Sequence, residues 1–131
     1  MRRFVLSITI KKFVMNEYLL LFRNASNPDG YLASTQEMAE DMPKWQAWIG
    51  QIALQGKLVS TAPIEYKASL VGSDEVKDGP YKESNSVLVS GFLICKAESL
   101  EEVQEWSAGC PVLKYPNSSV EIRPILPFPI L

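Results

Sequence analysis

The chain has 131 residues, 47% hydrophobic and 21% charged, with a formal net charge of −2 and no histidine. That is the size of one domain with a real core, and the balance excludes wholesale disorder and any global attraction to nucleic acid. The missing histidine excludes a histidine general base, a histidine-based triad and a histidine metal ligand within this chain.

"MRRFVLSITIKKFVM" opens with a basic pair and a short apolar stretch. Lys11 and Lys12 break that stretch, no small-residue cleavage site follows, and it is far below the ~20 residues of a membrane span. Residues 1–14 are therefore an N-terminal extension: either Met15 is the real start or residues 4–10 form an extra edge strand. "EYLLLF", residues 17–22, is an apolar run of strand length, and "RNASNPDG" behind it is a cluster of turn formers. "STQEMAEDMPKWQAWIGQIALQG" is helical in composition, but proline is costly inside a helix, so Pro43 predicts a helix that begins near Asp41 and stops at Gly56. Trp45, Trp48, Ile49 and Ile52 then make one apolar stripe for the core.

"KLVSTAPIEYKASLVG" predicts a short extended piece and, after Pro63, a second strand in which Ile64, Tyr66, Ala68 and Leu70 alternate with Glu65, Lys67 and Ser69. A tight Asp78-Gly79-Pro80 turn leads to a third strand over residues 87–96. Strict alternation puts Val87, Val89, Leu93 and Cys95 on one face and Leu88, Phe92 and Ile94 on the other, so both faces are mostly apolar. "SLEE", residues 99–102, is a capping box that opens a second helix; Gly109 ends it and Pro111 forbids continuation. "SVEIRPI", residues 119–125, reads as a fourth strand with Val120 and Ile122 opposite Glu121 and Arg123. The proline-rich apolar tail, residues 126–131, is expected to dock on its own domain or on a partner.

The order βαββαβ predicts an α+β, ferredoxin-like arrangement: an antiparallel four-stranded sheet with both helices on one face. The first and third strands are apolar on both faces, and helices on one side leave the other bare. The simplest cover is a second copy, sheet against sheet.

Candidate site residues follow from the same reading. Asp78 either satisfies backbone N–H groups of its own turn or faces a pocket beside Tyr81 as a hydrogen-bonding or acid–base group. Glu83 and Arg123 are a pocket pair or an exposed ion pair across strands. Ser90 and Gly91 interrupt the apolar third strand, as a bulge or a close approach of backbone or ligand would require. Tyr18 and Tyr66 place hydroxyls at a rim or pack as aromatic core. Cys95 and Cys110 match neither a disulfide framework nor a zinc motif, so reduced, cytoplasmic thiols are the default. The sequence has no Gly-rich phosphate loop, nucleophile elbow, carboxylate-rich metal motif or basic stripe; no cofactor, metal, nucleic acid or membrane is expected.

"MNEYLLLFR", "KDGPYKES", "LVSGFLICKAESLEEVQEWSAGCPVL" and "VEIRPI" occur in that order, and together they resemble the YCII-related family, also called DGPF or DGPFAETKE-motif proteins. The resemblance covers residues 15–125, taken as the domain. It implies a bacterial homodimer built as a dimeric α/β barrel, and it favours Met15 as the start. Tyr81 stands where the motif has phenylalanine, Lys82 replaces alanine, and "SNS" follows where a Thr-Lys-Glu run is usual. One branch of the family carries a His-Asp pair in the pocket, which a chain without histidine cannot inherit. Fusions of related domains to sigma-like factors imply a regulatory link elsewhere in the family.

Two function classes stand at this point. One is a small-molecule pocket near the DGP turn, lined by Asp78, Tyr81, Ser90, Arg123 and Tyr18; any chemistry there is histidine-free and metal-free, with Asp78, Tyr81, Glu83 or Arg123 carrying it. The other is a non-catalytic binding or regulatory module that acts through its dimer or a protein partner.

Overall fold

The computed structural model describes residues 15–25, 35–65, 67–79 and 87–128. The proposed edge strand at residues 4–10, Tyr66, and Pro80, Tyr81 and Glu83 of the turn lie outside them. The described residues form strand β1 (Asn16–Ala25), helix α1 (Thr35–Leu54), β2 (Leu58–Pro63), β3 (Ser69–Val71), β4 (Val76–Asp78), β5 (Val87–Ala97), helix α2 (Leu100–Ala108), a short 3-10 helix (Pro111–Lys114) and β6 (Ser119–Pro124). β2, β5, β1 and β6 make one four-stranded sheet in that spatial order, every neighbouring pair antiparallel, and β3 and β4 make a separate two-stranded ribbon.

One face of the four-stranded sheet is sealed. Tyr18, Leu20 and Phe22 of β1 alternate onto it, opposite Cys95, Leu93 and Gly91 of β5, and all six are buried. Ile52 of α1, Val103 of α2 and Val112 of the 3-10 helix close the core over them. The tryptophan stripe behaves as its spacing predicts: Trp45 and Trp48 pack edge-on to Phe22, with ring centroids 4.9 and 5.8 Å away. The Trp48 indole N–H also donates to the Trp106 carbonyl at 2.9 Å and so ties α1 to α2. Both helices thus lie on this face.

Three local expectations are corrected. Helix α1 starts at Thr35 rather than near Asp41 and carries Pro43 within it. Pro43 and Ala39, the residue whose carbonyl loses its helical donor, are both exposed, so solvent is available to that carbonyl and offsets the usual interior penalty. Asp41 is then no cap: it is 6% exposed and bonds across to the 3-10 helix. The second strand of the sheet is Leu58–Pro63, upstream of the alternating run; among the described residues of that run, Ser69 and Leu70 are in a strand, β3 of the ribbon.

The third correction is in β5. Phe22 pairs with Gly91 but Arg23 pairs with Val89, so Ser90 is an extra residue on the β5 side, a β-bulge. The bulge inverts the alternation. Leu88 shares the sealed face with Leu93 and Cys95, while Val87 and Val89 share the other with Phe92 and Ile94. Two contacts hold it. The Ser90 hydroxyl donates to the Phe22 carbonyl at 3.2 Å, and a Cβ on Gly91 would stand 3.0 Å from the Ala62 carbonyl oxygen and 3.4 Å from the Phe22 ring. Both alternatives read for this dipeptide, a bulge and a close backbone approach, therefore hold together.

Helix α2 is close to its sequence reading. The Ser99 hydroxyl accepts from the Glu102 N–H at 3.2 Å, and Glu102 reaches back, to the Glu98 N–H at 3.1 Å rather than to Ser99. Among the described residues no helix is long and apolar enough to cross a membrane.

Candidate functional site

Neither helix among the described residues packs on the second face of the sheet. Directly opposed residues of antiparallel strands share a face, so the register lays out this surface row by row. Val89, Arg23 and Ser119 form one row; Ala62, Phe92, Leu21 and Glu121 the next; Ser60, Ile94, Leu19 and Arg123 the third; Lys96 and Glu17 the last. The centre is apolar, and Leu19, Leu21, Val89, Phe92 and Ile94 are each half-buried. Charge is gathered along the β6 margin.

That margin is organised around one carboxylate. Arg23 donates from Nε at 2.8 Å, and its Nη2 lies 2.7 Å away, both on Glu121 Oε1; Arg123 donates from Nε to Oε2 at 2.8 Å. Both carboxylate oxygens are engaged and the trio carries a net charge of +1. The Arg123 bond, followed by that of Arg23, holds the Glu121 carboxyl below its ordinary value of 4.5. Arg23 is the more sheltered cation, 19% exposed in its side chain, whereas Arg123 is 63% exposed.

At the end of the sheet where β1 begins, Met15, Asn16, Glu17, Lys96, Ile125 and Pro127 line a shallow, open concavity of about 480 Å³. The Ile125 N–H donates to the Glu17 carbonyl at 2.9 Å, which carries the chain past β6 along this rim. Leu126 and Phe128 beyond it are 83% and 84% exposed, so these two tail residues do not dock on their own domain.

The residues singled out from sequence are dispersed. Asp78 ends β4 in the two-stranded ribbon, exposed, and the Gly79 N–H next to it donates to the Ala68 carbonyl at 2.7 Å. Ser90 makes the bulge. Tyr18, offered as a rim hydroxyl or as core, is 5% exposed in the core. Arg123 pairs with Glu121, two positions back on its own strand, while Glu83 and Tyr81 lie outside the described residues. None of the four placed candidates lines the concavity.

A second polar cluster, unforeseen from sequence, lies on the helical side. Asp41 accepts from the Lys114 ammonium at 2.9 Å and from the Tyr115 hydroxyl. The Tyr115 bond is the main cause that holds its carboxyl below the ordinary aspartate value of 3.8; burial pushes the other way and Lys114 adds to the lowering. The contact bridges residues more than 70 positions apart and joins α1 to the segment after the 3-10 helix. The only sequence cue was an acidic residue on the tryptophan helix, which local reasoning assigned to a cap.

Both thiols are poor nucleophiles. Burial pushes Cys95 up to about 11 and Cys110 up to about 12. Among the described residues no three metal-ligating side chains cluster.

Residues 18–129 match the family model of the YCII-related domain. No curated protein matches the chain.

Proposed function

The chain belongs to the YCII-related domain family, and from that premise we propose that it works as a homodimer of ferredoxin-like subunits. Their bare sheet faces would pack together into an α/β barrel and enclose a cleft for a small, partly apolar molecule. The observation that carries this reading is the uncovered row structure of Leu19, Leu21, Val89, Phe92 and Ile94, on the face opposite both helices. An apolar sheet centre of that kind is the usual signature of an interface. The strand order supports the ferredoxin-like assignment, since the four strands of the sheet, numbered along the chain, lie in the order 4-1-3-2.

In this reading the domain spans residues 15–125 and the DGP turn stands at the cleft mouth; it precedes β5 in the chain, whose Val87 and Val89 belong to the bare face. Asp78 and Tyr81 are its polar contribution there, and Arg123 is the cation of the opposite margin. Binding is the activity these side chains support best. The buried, unpaired cysteines fit a reducing cytoplasmic setting. A second reading, an interaction module, draws on the exposed ribbon residues Val71 and Val76 and on Leu126 and Phe128.

The bulge makes the test direct, since Val89 and Phe92 lie on the same bare face. Phe92→Asp and Val89→Asp should each abolish the dimer in sedimentation velocity, because an unpaired buried carboxylate costs about 3 kcal/mol or more, over a hundredfold in dissociation constant. A well-behaved dimer from both variants would refute sheet-to-sheet pairing. Native mass spectrometry of the wild type then separates the two readings: a reproducible extra small mass on the dimer supports the pocket, and a bare dimer favours the interaction module.

A further inference from the structure

We propose that the concavity at the end of the sheet where β1 begins receives a zwitterion, an α-amino acid with an apolar side chain. Lys96 takes its carboxylate, Glu17 its ammonium group, and Met15, Ile125 and Pro127 its side chain. The site lies within one chain and goes beyond the cleft reading above: β5 runs from Val87 to Ala97, and Lys96 stands near its far end along the chain from the DGP turn.

Glu17 and Lys96 are directly opposed across β1 and β5, the two inner strands of the sheet. Opposite charges so placed ordinarily interact. Elsewhere in the molecule such neighbours do close: Arg23 meets Glu121, and Lys57 meets Glu102, at 2.7 Å. Here neither the Glu17 carboxylate nor the Lys96 ammonium makes an ion pair or a side-chain hydrogen bond among the described residues, and both line the concavity instead. The backbone beneath each charge is held from its outer side as well, since the Lys96 N–H donates to the Lys57 carbonyl at 2.7 Å and the Glu17 carbonyl accepts from the Ile125 N–H at 2.9 Å. A carboxylate only accepts and an ammonium only donates. The complementary ligand therefore offers an anion to Lys96 and a cationic N–H donor to Glu17, and an α-amino acid carries both on a single carbon.

The rest of the wall is apolar. Met15 and Ile125 leave 39% and 37% of their surface to water, and the Pro127 ring completes the rim beside Ile125. The concavity measures about 480 Å³, within the roughly 300–1,000 Å³ usual for small-molecule sites. A branched or aromatic side chain would cover this wall, whereas glycine would satisfy the two charges and leave it wet. A bare anion or a bare cation would satisfy one charge and leave the other without a partner.

The test uses the full chain labelled with ¹⁵N, titrated with leucine and with phenylalanine. N-acetyl-leucine removes the ammonium charge, leucinamide removes the carboxylate, and glycine removes the side chain. Leucine or phenylalanine should shift the Glu17, Lys96 and Ile125 amides saturably, and N-acetyl-leucine and leucinamide should each bind at least about tenfold more weakly than leucine, as loss of a charge-assisted hydrogen bond requires. The variants then separate the two charges. Lys96→Gln should lower leucine affinity by a similar factor and leave leucinamide binding unchanged; Glu17→Gln should lower leucine affinity and leave N-acetyl-leucine binding unchanged, each with an otherwise unaltered spectrum. No saturable shift with either amino acid, as a mere cross-strand ion pair predicts, would overturn the proposal. So would glycine or N-acetyl-leucine binding as tightly as leucine, or undiminished leucine binding by either variant. Sedimentation of the same samples keeps this site separate from the dimer: a monomer that takes leucine through Glu17 and Lys96 refutes pairing and retains the site, and a dimer indifferent to both amino acids does the reverse.

Discussion

Leu20 and Leu21 are adjacent in β1, and they illustrate the two faces of one sheet. Leu20 is fully buried under the helices, opposite Leu93, which is also fully buried. Leu21 points the other way, opposite Phe92, and both are half-buried. The polar groups divide in the same manner: the Asp41 side chain on the helical side is 9% exposed, whereas that of Glu121 on the bare side is 29% exposed. The sealed face is finished within a single chain. The bare face has the half-buried apolar centre and the charged margin described above.

The contrast is testable from its strongest consequence downward. Leu20→Ala should cost about 2–5 kcal/mol in urea unfolding, because it opens a cavity that rigid neighbours cannot fill. Leu21→Ala should cost under about 1.5 kcal/mol at low protein concentration, since the methyl groups it removes are only half-buried. If the bare faces pair, the Leu21→Ala deficit grows with protein concentration; a Leu21→Ala cost equal to that of Leu20→Ala in a proven monomer would abolish the distinction between the faces.

Gly91→Ala probes the bulge on which the allocation of residues to faces depends. Its Cβ would press on the Ala62 backbone carbonyl, which cannot rotate away, so about 1–3 kcal/mol of destabilisation is expected. A neutral result would mean that β2 yields easily at this crossing.

The two carboxylates give the smallest and most specific comparison. Both are depressed in the folded state, so each adds stability above its unfolded pKa, near 3.8 for Asp41 and 4.5 for Glu121, and that stability is lost as pH falls through the lower folded value. Asp41→Asn should cost about 1–3 kcal/mol at neutral pH, since it weakens a buried contact to Tyr115 and Lys114, and should flatten the acid limb of the stability profile below pH ~4. Glu121→Gln should change stability by less than about 1 kcal/mol, because water screens its pairs with Arg23 and Arg123. Equal acid slopes for the two variants would contradict the difference in burial.

Much of the fold was legible in short-range pattern. The capping box at Ser99 and Glu102, the stripe from Trp45 to Ile52, and the alternation of Val120 and Ile122 with Glu121 and Arg123 each express a preference that operates over one or two turns or a single strand, and each is found in the structure. The absence of histidine, too, limits the chemistry whatever the fold. Arg123 was legible as a candidate because an arginine on the polar side of an amphipathic strand is visible locally, but its partner was not.

What tertiary structure alone decided is long-range. Arg23 and Glu121 meet across 98 positions, and Asp41 and Tyr115 across 74; no local periodicity encodes such pairings, which follow from strand register and helix docking. The chain tolerates Pro43 within α1 because Pro43 and Ala39, four residues before it, lie on the exposed side of the helix. β2 takes Leu58–Pro63 rather than the more regular run beyond it because that segment can lie against β5, with Pro63 opposite Gly91, where no side chain obstructs it. One extra residue at Ser90 then reverses which side chains face the helices, a change invisible to alternation counts and settled only when β1, β2 and β5 close on Gly91.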